Sequence, residues 1–324
     1  MKTLKLLLIS FMALIWVSTT SASSLPKPLV ETDWLAKNKS SIVVLDIRKD
    51  VKSFTKKPIY KKDKKSGKMK LVKVAGHIPG SILVNYKYLR TTKEINGRKV
   101  VKMMVSKAAF EKLMQASGVS KDSAVVIVSK GIDNGDATMA TRLYWQMKYF
   151  GHDNMAILNG GMMQWIKDKR KVSSKHSKIK MGDWLATAER KEILATSKDV
   201  EEAIKSKTQL VDTRSMSLYL GTWRKKSYVF ANGHIPGAKS YPNELITTAM
   251  PAKFVKATDS KLLLTQMGIN PDKKAITYCN SGHLATGSWF VMSELLGNKN
   301  VKMYDGSMHQ WTLEKHDVIK MKME

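Results

Sequence analysis

The chain has 324 residues, a formal net charge of +29 and a single cysteine, Cys279. One cysteine excludes a fold stapled by intrachain disulfides, and a chain of this length predicts two domains. The positive charge alone does not predict nucleic-acid binding, because no zinc-finger spacing, helix-turn-helix pattern or aromatic RNA-binding signature accompanies it.

Residues 1–22 have the pattern of a secretory signal peptide. Lys2 and Lys5 precede an apolar run at 6–17, and the small residues 20–22 form a cleavage site. We therefore expect an exported protein, periplasmic or secreted, and an uncleaved anchor is the alternative. No later stretch approaches membrane-spanning length, so no membrane span is expected after cleavage. An exported chain without disulfides indicates that Cys279 is present for its reactivity.

The rest of the chain contains two similar halves. Four segments recur in the same order, namely 45–48 with 211–214, 76–81 with 233–238, 118–120 with 268–270, and 159–165 with 305–311. So long a period predicts a tandem domain and not a solenoid repeat. We expect domains at 23–170 and 188–324, joined by a linker at 171–187 that is rich in Lys and Ser.

Short apolar strands alternate with helical patterns in each half. The predicted strands are 42–45, 125–128 and 155–158, with counterparts at 210–211, 275–278 and 301–304. This alternation predicts an α/β fold with two tandem domains, each a mostly parallel sheet with helices on both faces. The lysine-rich segments 56–65 and 171–180 are interpreted as solvated loops.

Cys279 lies between the strand at 275–278 and a predicted helix. Apolar residues recur downstream at three-to-four spacing and stop at a glycine, namely Ala285, Trp289, Met292, Leu296 and Gly297. Amide groups and the helix dipole converge ahead of such a helix, so we expect the pKa of the thiol to fall. The alternative is a small buried hydrophobic side chain.

We expect an anion on Cys279 to be cradled by the loop that follows it. The cradle would consist of backbone amides and the Ser281 hydroxyl, in the residues Asn280, Ser281, Gly282, His283, Leu284 and Ala285. The side chain of His283 is a further candidate for holding the thiolate or meeting an acceptor.

The first half has Ser129 at the position of Cys279, followed by a longer loop that carries Asp133 and Asp136. A serine without a base is a poor nucleophile, and carboxylates repel an anion. We expect the first domain to be catalytically silent and to close one side of a cleft between the domains. Two independent domains are the alternative.

Together these motifs resemble the two-domain rhodanese family of sulfurtransferases, in an exported bacterial form. The resemblance rests on the duplication, the Asp-x-Arg strand ends, the Gly-His-Ile-Pro-Gly segments, the Cys-x-x-Gly-x-x-Ala loop in the second half only, and the closing Asp-Gly-Ser-x-x-x-Trp. It implies that Cys279 takes a sulfane sulfur from thiosulfate or 3-mercaptopyruvate as a persulfide. Cyanide, a small thiol or a thiol-carrying protein would then accept the sulfur, and neither a cofactor nor a metal is implied.

The chain departs from this family at two positions. Members that use thiosulfate carry basic residues where this chain has Ser281 and Leu218. Ser281 is closer to the mercaptopyruvate members, whereas Leu218 removes an arginine that both groups use. We predict that the nearest basic cluster, Arg224, Lys225 and Lys226, binds the donor anion instead. A solvated basic loop is the alternative.

Asp212 and Arg214 are interpreted as a buried pair that supports the site loops. His234 recurs as His77 in the silent half, so we expect it to stabilise a turn. A cysteine phosphatase is disfavoured because no arginine lies between Cys279 and the helix. A persulfide carrier or anion-binding envelope module without turnover remains the alternative to an enzyme.

Overall fold

The computed structural model describes residues 25–321. The predicted signal peptide at 1–22 lies outside this range. Among the described residues, no helix combines the length and the apolar character needed to cross a membrane.

The first domain is built on a five-stranded sheet. Its strands are Leu29–Val30 (β1), Val43–Arg48 (β2), Ile82–Asn85 (β5), Val125–Val128 (β8) and Met155–Leu158 (β9). Two antiparallel hairpins lie outside the sheet, formed by Ile59–Lys62 (β3) with Met69–Lys73 (β4) and by Arg90–Ile95 (β6) with Arg98–Met104 (β7). The helices are Thr32–Asn38 (α1), Lys107–Ala116 (α2), Asn134–Tyr149 (α3) and Gly161–Lys167 (α4).

The second domain repeats this plan. Its strands are Leu194–Ala195 (β10), Gln209–Asp212 (β11), Lys239–Ser240 (β12), Ala275–Tyr278 (β13) and Val301–Tyr304 (β14). Its helices are Ser197–Ser206 (α5), Met216–Tyr219 (α6), Ala257–Gln266 (α7), Ala285–Phe290 (α8) and Ser307–Leu313 (α9). The strand orders β1-β9-β8-β2-β5 and β10-β14-β13-β11-β12 are equivalent, and all pairings within the two sheets are parallel.

The predicted α/β fold with two parallel sheets is therefore confirmed. The interpretation of residues 56–65 as a loop is wrong, because they contain β3 and lead into the hairpin with β4. That hairpin is mostly exposed on both faces, so its sequence lacks the alternation of apolar and polar residues that marks a half-buried strand. The long helix expected after Cys279 is also interrupted, since α8 passes into a π-helical turn at Val291–Leu295.

One continuous hydrophobic core joins the two domains. Helix α3 of the first domain packs on α8 of the second, where the rings of Tyr144 and Phe290 meet edge to face at 5.0 Å. The hydroxyls of Thr141 and Thr286 are 2.8 Å apart in the same contact. The alternative of two independent domains is excluded by this shared core. The linker segment is also docked, because Trp184 is buried against the Phe110 ring.

A buried ion pair between Asp and Arg lies at the carboxyl end of strand β2 in the first domain and of strand β11 in the second. Arg214 donates to both carboxylate oxygens of Asp212 and, at 2.8 Å, to the carbonyl of Gly233. In the first domain, Arg48 holds Asp46 and the Gly76 carbonyl in the same way. The Asp-x-Arg motif thus attaches the strand end to the Gly-His-Ile-Pro-Gly turn.

In each Gly-His-Ile-Pro-Gly turn, the histidine ring stacks on an aromatic side chain, and its Nδ1 is hydrogen-bonded to the backbone carbonyl of that aromatic residue. His234 lies 3.9 Å from the Tyr219 ring, and its Nδ1 is 2.8 Å from the Tyr219 carbonyl. His77 makes the corresponding contacts with Phe54. We therefore continue to interpret Asp212, Arg214 and His234 as residues that support the fold.

We expect Arg214→Met to destabilise the protein by about 3–5 kcal/mol, because it leaves the Asp212 carboxylate buried without its cation. Denaturant unfolding followed by circular dichroism measures this change. Lys261→Met is the matched control, since it breaks an ion pair with Asp272 in which both side chains are more than half exposed. Equal effects of the two substitutions would contradict the structural role of the buried pair.

Candidate active site

Cys279 directly follows β13, at the carboxyl edge of the second sheet. Its side chain is only 2% exposed, and its sulfur accepts a hydrogen bond from the backbone amide of Ser281 at 3.5 Å. The carboxyl edge of a parallel sheet is where ligands bind in open α/β folds. The Cys279 side chain is thus part of the hydrophobic core, and its sulfur also accepts a hydrogen bond from a polar loop.

The cradle differs in one respect from the expected set of amides. The amide of Gly282 donates to the hydroxyl of Ser307 at 3.1 Å and is not available to an anion. Within residues 25–321, the amides of Asn280, His283 and Leu284 have no protein acceptor. Gly282 has φ +65°, and a Cβ at this position would collide with Asp305, so the loop requires glycine here.

Ser307 fixes the base of the loop and was not predicted from the sequence. Its hydroxyl accepts the amides of Cys279 and Gly282, each at 3.1 Å, and donates to the Tyr304 carbonyl at 2.7 Å. Ser307 has φ 52°, a left-handed conformation that costs a non-glycine residue about 1–2 kcal/mol. Its counterpart in the first domain is Gly161, with φ 57°. This difference between the two halves, glycine in the first and serine in the second, is the feature of the sequence from which Ser307 could have been predicted.

Two arginines of the first domain hold the carbonyls of this loop. Arg90 donates through Nη2 to the Ser281 carbonyl and, at 3.0 Å, to the Ser281 hydroxyl. Arg142 donates through Nη1 to the Gly282 carbonyl at 2.6 Å and to Asp305 Oδ1 at 2.6 Å, in a fully buried pair. Because C=O and N–H point in opposite directions across a trans peptide, the contact with Arg142 directs the His283 amide away from the first domain's guanidinium.

A cleft of about 590 Å³ lies beside this loop and is lined by the first domain. Lys49, Tyr86, Arg90 and Lys102 contribute to its wall. The Lys102 ammonium reaches the second domain, where it lies 3.5 Å from the ring centroid of Tyr228. Among residues 25–321, no group of three or more His, Cys, Asp or Glu side chains is placed to hold a metal ion.

The basic cluster predicted to bind the donor lies largely elsewhere. The Arg224 side chain donates to the Phe230 carbonyl at 2.6 Å and lines a different cavity, together with Lys320. One nitrogen of the Arg224 guanidinium is therefore engaged within its own loop, and donor binding by Arg224 stays a prediction. Lys225 is close enough to influence the pKa of Lys102, whereas Lys226 forms no hydrogen bond or ion pair with the Cys279 loop in the described part of the chain. For these two lysines, donor binding stays a prediction.

The His283 side chain turns toward the first domain. Its Nε2 is 3.2 Å from the Thr138 hydroxyl, and its ring centroid is 5.0 Å from that of Tyr86. Burial, together with the positive charges of Arg90 and Lys49, holds the pKa of His283 well below its ordinary value. The imidazole is therefore neutral at pH 7 and does not supply a positive charge to a thiolate.

The equivalent loop of the first domain is filled by its own carboxylate. Asp136 is buried and accepts the amide of Gly131 at 2.5 Å, in the loop that follows Ser129. Burial raises the pKa of Asp136 to about 6. A side chain thus occupies the position that a bound anion would take, and the absence of catalysis in this domain stays a prediction.

A family model described as "Rhodanese-like domain" matches residues 31–168 and 196–314. The chain is 31% identical over 245 residues to the thiosulfate sulfurtransferase of Cricetulus griseus, covering 72% of this chain and 77% of that one. It is 29% identical over 299 residues to the sulfur carrier protein TtuD of Thermus thermophilus, covering 88% and 94%.

Two solved structures show the same fold. The Tum1 protein of Saccharomyces cerevisiae superimposes with a TM-score of 0.72 at 19% identity, over 92% of this chain and 99% of that one. SseA of Escherichia coli, described as a 3-mercaptopyruvate sulfotransferase, superimposes with a TM-score of 0.67 at 22% identity, over 87% and 98%.

We expect Ser307→Gly to leave stability nearly unchanged while slowing reaction at Cys279. Glycine relieves the left-handed backbone, but the amides of Cys279 and Gly282 lose their shared acceptor and the loop loses its fixed shape. Thermal unfolding and the rate of Cys279 alkylation or sulfur loading measure the two effects separately. An unchanged loading rate would show that the hydroxyl does not position the loop.

Proposed function

The chain belongs to the rhodanese-like domain family and is a sulfurtransferase, and we propose that it transfers sulfur through a persulfide on Cys279. The donor is thiosulfate or 3-mercaptopyruvate, and the acceptor is cyanide or a thiol, either a small molecule or a thiol-carrying protein. The observation that carries this proposal is the hydrogen bond from the Ser281 amide to the Cys279 sulfur, beside a cleft walled by cations.

In the first half-reaction, the Cys279 thiolate attacks the transferable sulfur of the donor, which is the outer sulfur of thiosulfate or the thiol sulfur of mercaptopyruvate. With thiosulfate, the sulfur–sulfur bond of the donor breaks and sulfite leaves with the electron pair. With mercaptopyruvate, the carbon–sulfur bond breaks and pyruvate leaves as its enolate, which takes a proton. The product on the enzyme is a persulfide anion, which the amides of the loop stabilise through N–H donors that are already in place.

In the second half-reaction, the acceptor attacks the outer sulfur of the persulfide. Cyanide becomes thiocyanate, or a thiolate becomes a persulfide, and the Cys279 thiolate leaves with the electron pair of the broken bond. The acceptor is oxidised by two electrons and the Cys279 persulfide is reduced to the thiolate by the same two, so this step needs no further oxidant or reductant. The chemistry therefore requires an anion cradle more than a general base, and the lowered pKa of His283 makes its imidazole a weak base.

A persulfide carrier without rapid turnover is the second candidate. The similarity to a relative that is named a sulfur carrier protein, over 94% of that protein, favours it. Both candidates load sulfur on Cys279. Steady-state turnover with cyanide distinguishes them, because a carrier loads once and then discharges slowly to small acceptors.

We also propose that the protein acts outside the cytoplasm, after cleavage behind Ala22. The proposal rests on the charged, apolar and small-residue pattern at 1–22. Cell fractionation and N-terminal sequencing of the mature chain test it, and a cytoplasmic chain that retains Met1 would overturn it.

Incubation of the purified protein with thiosulfate or 3-mercaptopyruvate is expected to add one sulfur atom, and cyanide is expected to remove it as thiocyanate. Intact-mass analysis before and after cyanide measures both steps. Cys279→Ser is expected to abolish the mass increase and the turnover.

Arg224→Ala is a useful companion variant, because its guanidinium is bonded within its own loop. At saturating thiosulfate it is expected to load sulfur like the unmodified protein, whereas a raised KM for thiosulfate would support the prediction that Arg224 binds the donor. Turnover that survives Cys279→Ser would contradict the proposed persulfide mechanism.

A further inference from the structure

Three cationic side chains of the first domain face the cleft without a carboxylate partner. Lys49, Arg90 and Lys102 all line it, and none takes part in an ion pair among residues 25–321. Their charges act on one another. Burial and then Arg90 lower the pKa of Lys49, an effect that Asp133 and Asp136 oppose, while burial followed by Arg90 and Lys225 lowers the pKa of Lys102 to about 8. Like charges held together in this way favour an anion between them.

These cations lie next to the reactive sulfur. Arg90 is bonded to Ser281, whose amide contacts the sulfur. A negative charge on Cys279 would stabilise the ammonium of Lys102, because it opposes the effects of burial and of Arg90 there. A ligand held by Lys102 is therefore within electrostatic reach of the thiolate that attacks it.

Tyr86 adds an unused hydrogen-bond donor to the same wall. Its side chain is 3% exposed, and its hydroxyl has no partner in the described residues. The rings of Tyr86 and His283 are in contact, and the ammonium of Lys49 lies 5.3 Å from the centroid of the Tyr86 ring. A buried hydroxyl without a partner is costly, so a ligand that accepts a hydrogen bond from it is favoured at this position.

We propose that the first domain supplies the donor-binding site, in which Lys49, Lys102 and the Tyr86 hydroxyl bind the sulfonate oxygens of thiosulfate. The proposal rests on the proposed persulfide chemistry and adds the choice of donor. Thiosulfate is a dianion at neutral pH, whereas mercaptopyruvate carries one carboxylate, so a cluster of cations without ion-pair partners among the described residues binds thiosulfate more strongly.

The size of the cleft is compatible with this assignment. Five heavy atoms at the volume of a water molecule, about 30 Å³ each, take up roughly 150 Å³. A cleft of about 590 Å³ therefore leaves space for sulfite to depart and for an acceptor to enter on the same side.

The donor affinity is expected to depend on the protonation of Lys102. This ammonium faces Arg90 and Lys49 from its own domain and Lys225, Tyr228, His309 and Cys279 from the second domain. Because the pKa of Lys102 is about 8, the ammonium is mostly charged at pH 7 and loses its charge as the pH rises above 8. The KM for thiosulfate is therefore expected to rise above pH 8, and Lys102→Arg is expected to remove that rise.

Steady-state kinetics of the full chain with cyanide test the proposal, using thiosulfate and 3-mercaptopyruvate as alternative donors. Lys102→Gln and Lys49→Gln are each expected to raise the KM for thiosulfate about tenfold or more, with a smaller rise for mercaptopyruvate. Intact-mass analysis at saturating thiosulfate is expected to show that both variants still load one sulfur. Lys99→Gln is the matched control, because Lys99 is an exposed lysine on the same strand, β7, and does not line the cleft.

Two results would overturn the proposal. In the first, Lys102→Gln and Lys49→Gln leave the ratio of the two KM values unchanged, and Lys225→Gln changes it instead. In the second, the unmodified protein prefers mercaptopyruvate to thiosulfate. Failure of the persulfide chemistry itself is distinguishable, because the unmodified protein would then gain no sulfur from any donor. Far-ultraviolet circular dichroism of each variant separates these results from misfolding.

Discussion

The Cys279 loop of the second domain is held by arginines of the first, and the geometry around the thiol depends on this contact. Arg90 donates a hydrogen bond to the Ser281 carbonyl. Arg142 donates one to the Gly282 carbonyl and also forms an ion pair with Asp305. When a carbonyl is held toward the first domain, the N–H of the following residue, which belongs to the same peptide group, points in the opposite direction. The packing of α3 on α8 keeps Arg142 in place, so the domain interface and the environment of the sulfur are one structural unit.

The two domains use one strand order for different purposes. In the second, the loop after the central strand leaves several amides open, and Ser307 secures its base. In the first, the equivalent loop is closed by the Asp136 carboxylate, and Gly161 replaces the serine. What the first domain contributes instead comes from other elements, namely the hairpin β6–β7 with Arg90 and Lys102, and helix α3 with Arg142.

A few of the positive charges of the chain are concentrated at the interface between the two domains. Most basic residues lie on exposed segments such as the hairpin β3–β4, where solvent screens them. Lys49, Arg90 and Lys102 are different, because they share a cleft and lack carboxylate partners among the described residues. A net charge of +29 does not indicate which few cations are concentrated in this way.

Much of the fold could be predicted from the chain alone. The strands at 125–128, 155–158, 275–278 and 301–304 were found with those bounds, because each is a short apolar run buried on both faces. The edge strands β1, β5, β10 and β12 and the two hairpins were missed. Three of these edge strands have only two residues, and the solvated β3–β4 ribbon has no periodic apolar pattern.

The candidate site, like the fold, could be predicted only in part from the sequence. Local spacing was sufficient to identify Cys279, its glycine-containing loop and the duplicated domain, because these features lie within a few residues of one another or recur in order. Arg90 and Arg142 act on that loop from 191 and 140 residues away, and nothing in their own neighbourhoods marks them. The sequence led instead to Arg224, which is close along the chain but bonded to its own loop. Only the tertiary structure decides which cations meet the thiol, because charge acts through space and packing of the two domains sets those distances.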